Sequence, residues 1–207
     1  MVRWIVKPPE EKWGRVRKLT NADIKDLREY EREREAFRSE IITMKKKRRI
    51  ALGDMMTIVF ENAATMRFQI QEMAHAERML RDEQIAHEIE TYNELIPDEG
   101  ELSATLFIEI DDPEALRYWL PRLVGIEDHI KIAAGDGIVA ARELNAERLT
   151  RDDITSTVHY FKFAFTPVQI RAFSDGPVRL LIDHPEYPVD ITLDEVQRDE
   201  LVGDFAA

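Results

Sequence analysis

Apolar positions change their spacing several times along this chain, and each change marks an element. Residues 1–19 keep neither a helical nor a strand period and read as an irregular arm, with Trp4 and Trp13 as its bulky apolar anchors. From about Ala22 to Lys47 the pattern turns helical. Ile24, Leu27, Tyr30, Phe37, Ile41 and Met44 fall close to one stripe. Thr20 or Asn21 is the expected N-cap, and Asp23 and Asp26 suit the positive end of the helix dipole. The middle, Glu31 to Glu35, is polar on every face. Such a helix is expected to project past its own core, as half of an antiparallel pair or as a dimer arm.

The spacing then shortens. Ile50 to Leu52, a turn at Gly53-Asp54 and Met55 to Phe60 predict a hairpin. After Glu61 the period is helical again, with Asn62 as cap and Met66, Ile70, Met73 and Leu80 on one side. A further helix follows Asp82, with Ile85, Ile89 and Tyr92 inward, and Pro97 to Gly100 ends it. Leu102 to Ile110 alternates as a strand, Asp112-Pro113 opens a short helix, and Ile130 to Arg142 forms a second hairpin around Gly135-Asp-Gly137. Val158 to Phe165 alternates too, placing His159, Phe161, Phe163 and Phe165 on one face. A helical turn from Thr166, a strand from Val178 to Ile182, a pairing segment at Asp190 to Thr192 and a terminal helix complete the chain. Helices come first and hairpins dominate later, without βαβ alternation. The fold class expected is therefore α+β: a largely antiparallel sheet with helices packed on one side and a long N-terminal helix. Residues 20–207 are expected to form a single domain behind the arm.

Composition narrows the chemistry. The 207 residues carry 29 Lys and Arg against 41 Asp and Glu, a formal net charge of -12, which gives no general attraction for nucleic acid or an anionic membrane. Cys is absent, so disulfides, thiol nucleophiles and thiolate-held zinc or iron–sulfur clusters are excluded. No window approaches the roughly 18 apolar residues of a membrane span, and Lys7 and Pro8 interrupt the start before a signal-peptide core can form. A cytoplasmic location is expected. The run Lys45 to Arg49 reads as cations at the negative end of a helix dipole in an acidic chain rather than as a nucleic-acid patch.

Phosphate loops, dinucleotide fingerprints and nucleophile elbows are missing. Three groupings remain. Glu72-Met-Ala-His75 has the Glu-x-x-His spacing that turns a carboxylate and an imidazole to one helix face, though a second copy is lacking. Glu61, Arg67, Gln71 and Glu72 crowd the junction of a strand and a helix, where an anionic ligand could be met or a capping network built. His184 lies among Asp183, Glu186 and Tyr187, suiting either a metal ligand set or a proline-containing turn held by hydrogen bonds. His159 reads as a satisfied core residue, and His75, His87 and His129 as exposed.

Several runs taken together are similar to a known family: Leu19-Thr20 to Glu33, Phe60-Glu-Asn62, Arg67 to Met73, Leu95-Ile-Pro-Asp98, Glu101 to Thr105 and Ile182-Asp-His-Pro185. They resemble the bacterial family known as domain of unknown function 3501, from Leu19 onward. The resemblance implies gene neighbourhoods shared with rubrerythrin-like and heterodisulfide-reductase-like iron–sulfur proteins. Together with the long polar-waisted helix, the Trp-bearing arm and the absence of recognisable catalytic machinery, this leads to the expectation of a non-enzymatic accessory or interaction subunit that works with redox iron proteins, with no cofactor. A protein partner is expected, with Trp4 and Trp13 as interface anchors, no nucleic acid, no membrane and a homodimer through the first helix. The rival expectation is a small-ligand or non-thiolate metal-dependent enzyme. Its pocket would be built from Glu61, Arg67, Gln71, Glu72 and Glu109, with Glu72, His75 and His184 as metal ligands. Whether the chain is an enzyme is left open by the residues themselves.

Overall fold

The computed structural model describes residues 18–144 and 153–205, so Trp4 and Trp13 lie outside the described residues. Helix α1 (Leu27–Arg48) begins later than the sequence suggests, because Thr20 and Asp23 close a separate 3-10 turn at Asn21–Asp23. Asp26 is the cap that starts it, accepting from the Arg28 and Glu29 amides at 2.9 Å. The hairpin β1 (Arg49–Leu52) and β2 (Met56–Glu61) turns at Gly53, whose φ of +71° is a left-handed conformation that suits glycine. Asn62 caps α2 (Ala63–Ala76), and α3 (Asp82–Asn93) follows. Leu80 falls beyond the end of α2 and is exposed, so it is not part of that helix's inner face.

Next come β3 (Glu101–Ile108), α4 (Pro113–Trp119), a 3-10 turn at Ile126–His129, β4 (Ile130–Ala134), β5 (Gly137–Ala140), the two-residue β6 (Arg142–Glu143) and β7 (Val158–Ala164). Helix α5 (Pro167–Asp175), β8 (Val178–His184), β9 (Tyr187–Thr192) and α6 (Glu195–Phe205) end the chain. The class is α+β with antiparallel pairing throughout, but the strands divide into two sheets, ordered β1-β2-β3-β7-β6 and β5-β4-β8-β9.

Alternation decides which face of each strand is buried. Ile58, Leu106 and Phe161 from the first sheet and Ile132, Leu180 and Ile182 from the second belong to one continuous core. Phe165, Phe173 and Phe205 add edge-to-face ring contacts, which bring α5 and α6 into that core. A smaller cluster of Leu19, Met66, Ile70, Ile89, Leu95 and Ile96 joins α2 and α3 to Tyr160 on the other face of the first sheet. Leu19 is held there by a reciprocal pair of hydrogen bonds with the Asn93 side chain, so the end of the expected arm is part of the body. Among the described residues, no helix is long and apolar enough to cross a membrane.

Candidate metal centre

The residues singled out from the sequence go to different places. Glu72 faces α1, where Arg34 donates to both of its oxygens at 2.7 and 2.8 Å and the Tyr30 hydroxyl donates at 2.6 Å. Those donors hold its carboxyl down to about 2, with the Arg34 hydrogen bonds as the main cause. His75 meets Glu31 at 2.6 Å, also across the α1–α2 contact. Gln71 forms a two-way clamp on the Lys25 backbone, accepting from its amide at 2.9 Å and donating to its carbonyl at 3.0 Å. Arg67 lies over the Phe37 ring at 5.3 Å and lines a groove of about 420 Å³ with Lys25, Tyr30 and Glu33.

Glu61 and Glu109 sit at opposite ends of β2. Glu61 pairs with Ser103 in the strand register, whereas the Glu109 amide donates to the Met55 carbonyl, six residues earlier. At 3.3–3.4 Å per residue that is about 20 Å of strand. Glu61 accepts from Thr105 at 3.3 Å and Glu109 from Arg49 and Thr57 at 2.5 and 2.6 Å. The five residues therefore do not line one pocket. His184 belongs to the second sheet, where it accepts from the Glu186 amide and faces the Val124 carbonyl, both at 3.3 Å. That pattern is a turn held by hydrogen bonds. His184 is not brought to Glu72 and His75: those two face α1 side by side from α2, each with its own partner there, whereas His184 is on the second sheet.

The basic run is dismantled as well. Arg48 is fully buried, donates to the Phe60 carbonyl and forms an ion pair with Asp204 of α6. Lys47 pairs with Glu200 and Arg49 with Glu109.

A different trio converges. Among the described residues, one grouping of His and carboxylate side chains has metal-site dimensions: Glu127, Glu143 and His159, with donor atoms all within 4.8 Å of one another. Each comes from a separate element. Gly125, at φ +88°, opens the 3-10 turn, fully buried Ile126 anchors it, and Glu127 follows. Glu143 stands on β6 opposite Phe161, and its side chain is 5% exposed. His159 is fully buried on the inner face of β7 and stacks on Phe161 with nearly parallel rings 6.1 Å apart.

The hydrogen bonds of His159 define its chemistry. Nε2 lies 3.0 Å from the Ser156 carbonyl, which can only accept, and 3.0 Å from the Thr155 hydroxyl. Nε2 therefore carries the hydrogen, and a neutral ring has its lone pair on Nδ1. That Nδ1 points at Glu143 Oε1 across 2.5 Å. Two acceptors face each other, so either a proton lies between them or a cation lies beside both. The outer oxygens favour the cation: Glu127 Oε2 and Glu143 Oε2 are both buried without a hydrogen-bond partner, and one shared proton satisfies neither. An imidazole fixed through its far N–H, with two carboxylates beside its free nitrogen, is a common form of protein metal ligation. Two carboxylates and a neutral imidazole carry two negative charges, which a divalent ion balances.

His159 was legible as a buried residue of β7. Its partners were not, because no short spacing links Glu127, Glu143 and His159: the pairing of β6 with β7 brings Glu143 to His159, and the 3-10 turn before β4 brings Glu127.

No curated protein matches the chain. A crystal structure of a protein of unknown function from Burkholderia pseudomallei K96243 is similar to it, with 33% identity, 91% of this chain and 99% of that one covered, and a TM-score of 0.84. Residues 18–205 match the family model described as protein of unknown function, DUF3501. The chain belongs to that family.

Proposed function

We propose that this chain is a non-thiolate metal protein that holds one divalent transition ion between Glu127, Glu143 and His159. The observation that carries the reading is the pair of buried, unpartnered carboxylate oxygens beside an imidazole nitrogen already committed to the acceptor role. An imidazole with carboxylates suits zinc, iron(II) or manganese better than calcium or magnesium, which prefer all-oxygen cages. Three protein donors leave at least one position for water or an outside ligand, which is the form catalytic sites take. The metal-dependent alternative raised by the sequence thus moves from Glu72, His75 and His184 to a different set of residues.

Chelator-treated protein titrated with Zn²⁺ or Mn²⁺ in a calorimeter, with elemental analysis of the product, tests this. One equivalent is expected for the wild type, with affinity at least about tenfold lower for Glu143→Gln and unchanged for Glu72→Gln. A folded wild type that takes up no ion sinks the reading. Pairing with rubrerythrin-like or iron–sulfur proteins rests on the family resemblance. Anaerobic affinity purification from the native organism tests it: stoichiometric iron proteins in the eluate would support it, and a lone chain would count against it.

A further inference from the structure

The chain changes sheets at the candidate centre. Through β5 it belongs to the second sheet, and the Ala141 amide still donates to the Ile130 carbonyl of β4 at 2.9 Å. Immediately afterwards Arg142 and Glu143 pair with Lys162 and Phe161 of β7, and the Leu144 amide donates to the Tyr160 carbonyl at 2.7 Å. The crossover into the first sheet is thus made by a strand of two residues at that sheet's edge. Short edge pairings of this kind open easily, since few hydrogen bonds must break together.

Glu127 sits on the turn that leads directly into β4 of the second sheet, His159 on β7 of the first, and Glu143 on the crossover itself. We propose that an ion bound by all three fastens the crossover strand to both sheets, so that metal availability controls how tightly this seam closes. The inference rests on the metal reading and adds a role to it. Without a cation, two carboxylates share a buried space within 4.8 Å, with one oxygen of each unpartnered, and β6 is held by its few backbone bonds and the Glu143–His159 contact. With the ion, any opening of β6 must also break a metal–ligand bond.

That coupling has a measurable size. A ligand that must leave before a segment opens slows the opening equilibrium by the factor 1 + [L]/Kd, about 100-fold at free metal one hundred times Kd. Hydrogen exchange followed by mass spectrometry on the full chain, chelated and then loaded with Zn²⁺, reads it segment by segment. Amides of 126–130, 141–144 and 156–160 are expected to slow by about that factor, while α3, which carries none of the three donors, exchanges as before. Glu127→Gln removes the donor nearest the second sheet. It is expected to keep weakened uptake through Glu143 and His159 but to lose the slowing at 126–130. Metal uptake with unchanged exchange in these segments, or with slowing spread evenly over α3 as well, overturns the fastening and leaves the metal reading standing. No uptake by calorimetry overturns both.

Discussion

Two charged residues show how much single side chains decide here. Glu72 keeps its charge well below the ordinary carboxylate range because Arg34 and Tyr30 donate to it, so its proton is bound less tightly in the folded chain than in the unfolded one. The stability it contributes is present above the unfolded value, near 4.5, and is lost as pH falls from there towards about 2. The pair is partly exposed, so about 1–2 kcal/mol is expected rather than the full charge-assisted value. Urea midpoints measured between pH 7 and pH 3 should fall more steeply for the wild type than for Glu72→Gln. Parallel curves would show that the Arg34 contact contributes nothing.

Arg48 is the other case. Its guanidinium is buried against Asp204, with Glu200 at 3.4 Å, and removing Arg48 leaves the buried Asp204 carboxylate with only the Asn62 amide beside it. Arg48→Ala is expected to cost about 3–5 kcal/mol in denaturant unfolding. Arg48→Met combined with Asp204→Leu should recover most of that loss, because replacing both charges with apolar groups removes the desolvation cost. A double variant as unstable as Arg48→Ala would place the cost in packing. Neither arrangement was legible at this scale. Arg48 appears in the sequence within a run of five cations, and nothing local marks the fourth of them as a core residue.

At the scale of elements the sequence was a better guide. Asn62 caps α2 by accepting from the Ala64 and Thr65 amides at 3.0 and 3.1 Å, as its place after a strand suggested. Asn62→Ala should cost about 1 kcal/mol, read as a lower thermal midpoint. An unchanged midpoint would mean that water replaces the cap. The alternation read over Val158 to Phe165 correctly put His159, Phe161 and Phe163 on one face, although β7 itself ends at Ala164, before Phe165. The first helix was only half legible. Its stripe holds, with Tyr30 and Ile41 buried, but Arg34 occupies the same stripe and meets Glu72. The polar middle that suggested a projecting arm is thus a contact surface for α2, made by charge rather than by apolar area.

Across the whole molecule, the two sheets depend on links that bypass local pattern. Tyr187 of β9 reaches the β1–β2 hairpin, where its hydroxyl accepts from the Met55 amide at 3.0 Å and donates to the Leu52 carbonyl at 2.7 Å. A Cβ added at Gly53 would lie 2.5 Å from that hydroxyl, so the turn's glycine is required by the contact as well as by its φ. Tyr187→Phe should lower stability by about 1–3 kcal/mol, since two backbone groups lose their partner while the ring stays. A loss below the error of the unfolding curve would show that solvent satisfies both. By itself the sequence determined the helices, the hairpins, the antiparallel α+β class and the exclusion of thiolate chemistry. Those follow from the spacing of apolar residues, from capping and turn residues and from composition, all of which are local or global properties of the chain. Only the tertiary structure decided that the strands form two sheets, that Arg48 is buried, and that Glu127, Glu143 and His159 meet. Each of those depends on which distant segments pair, and pairing is chosen by the burial of the whole core rather than by any residue's neighbours in sequence.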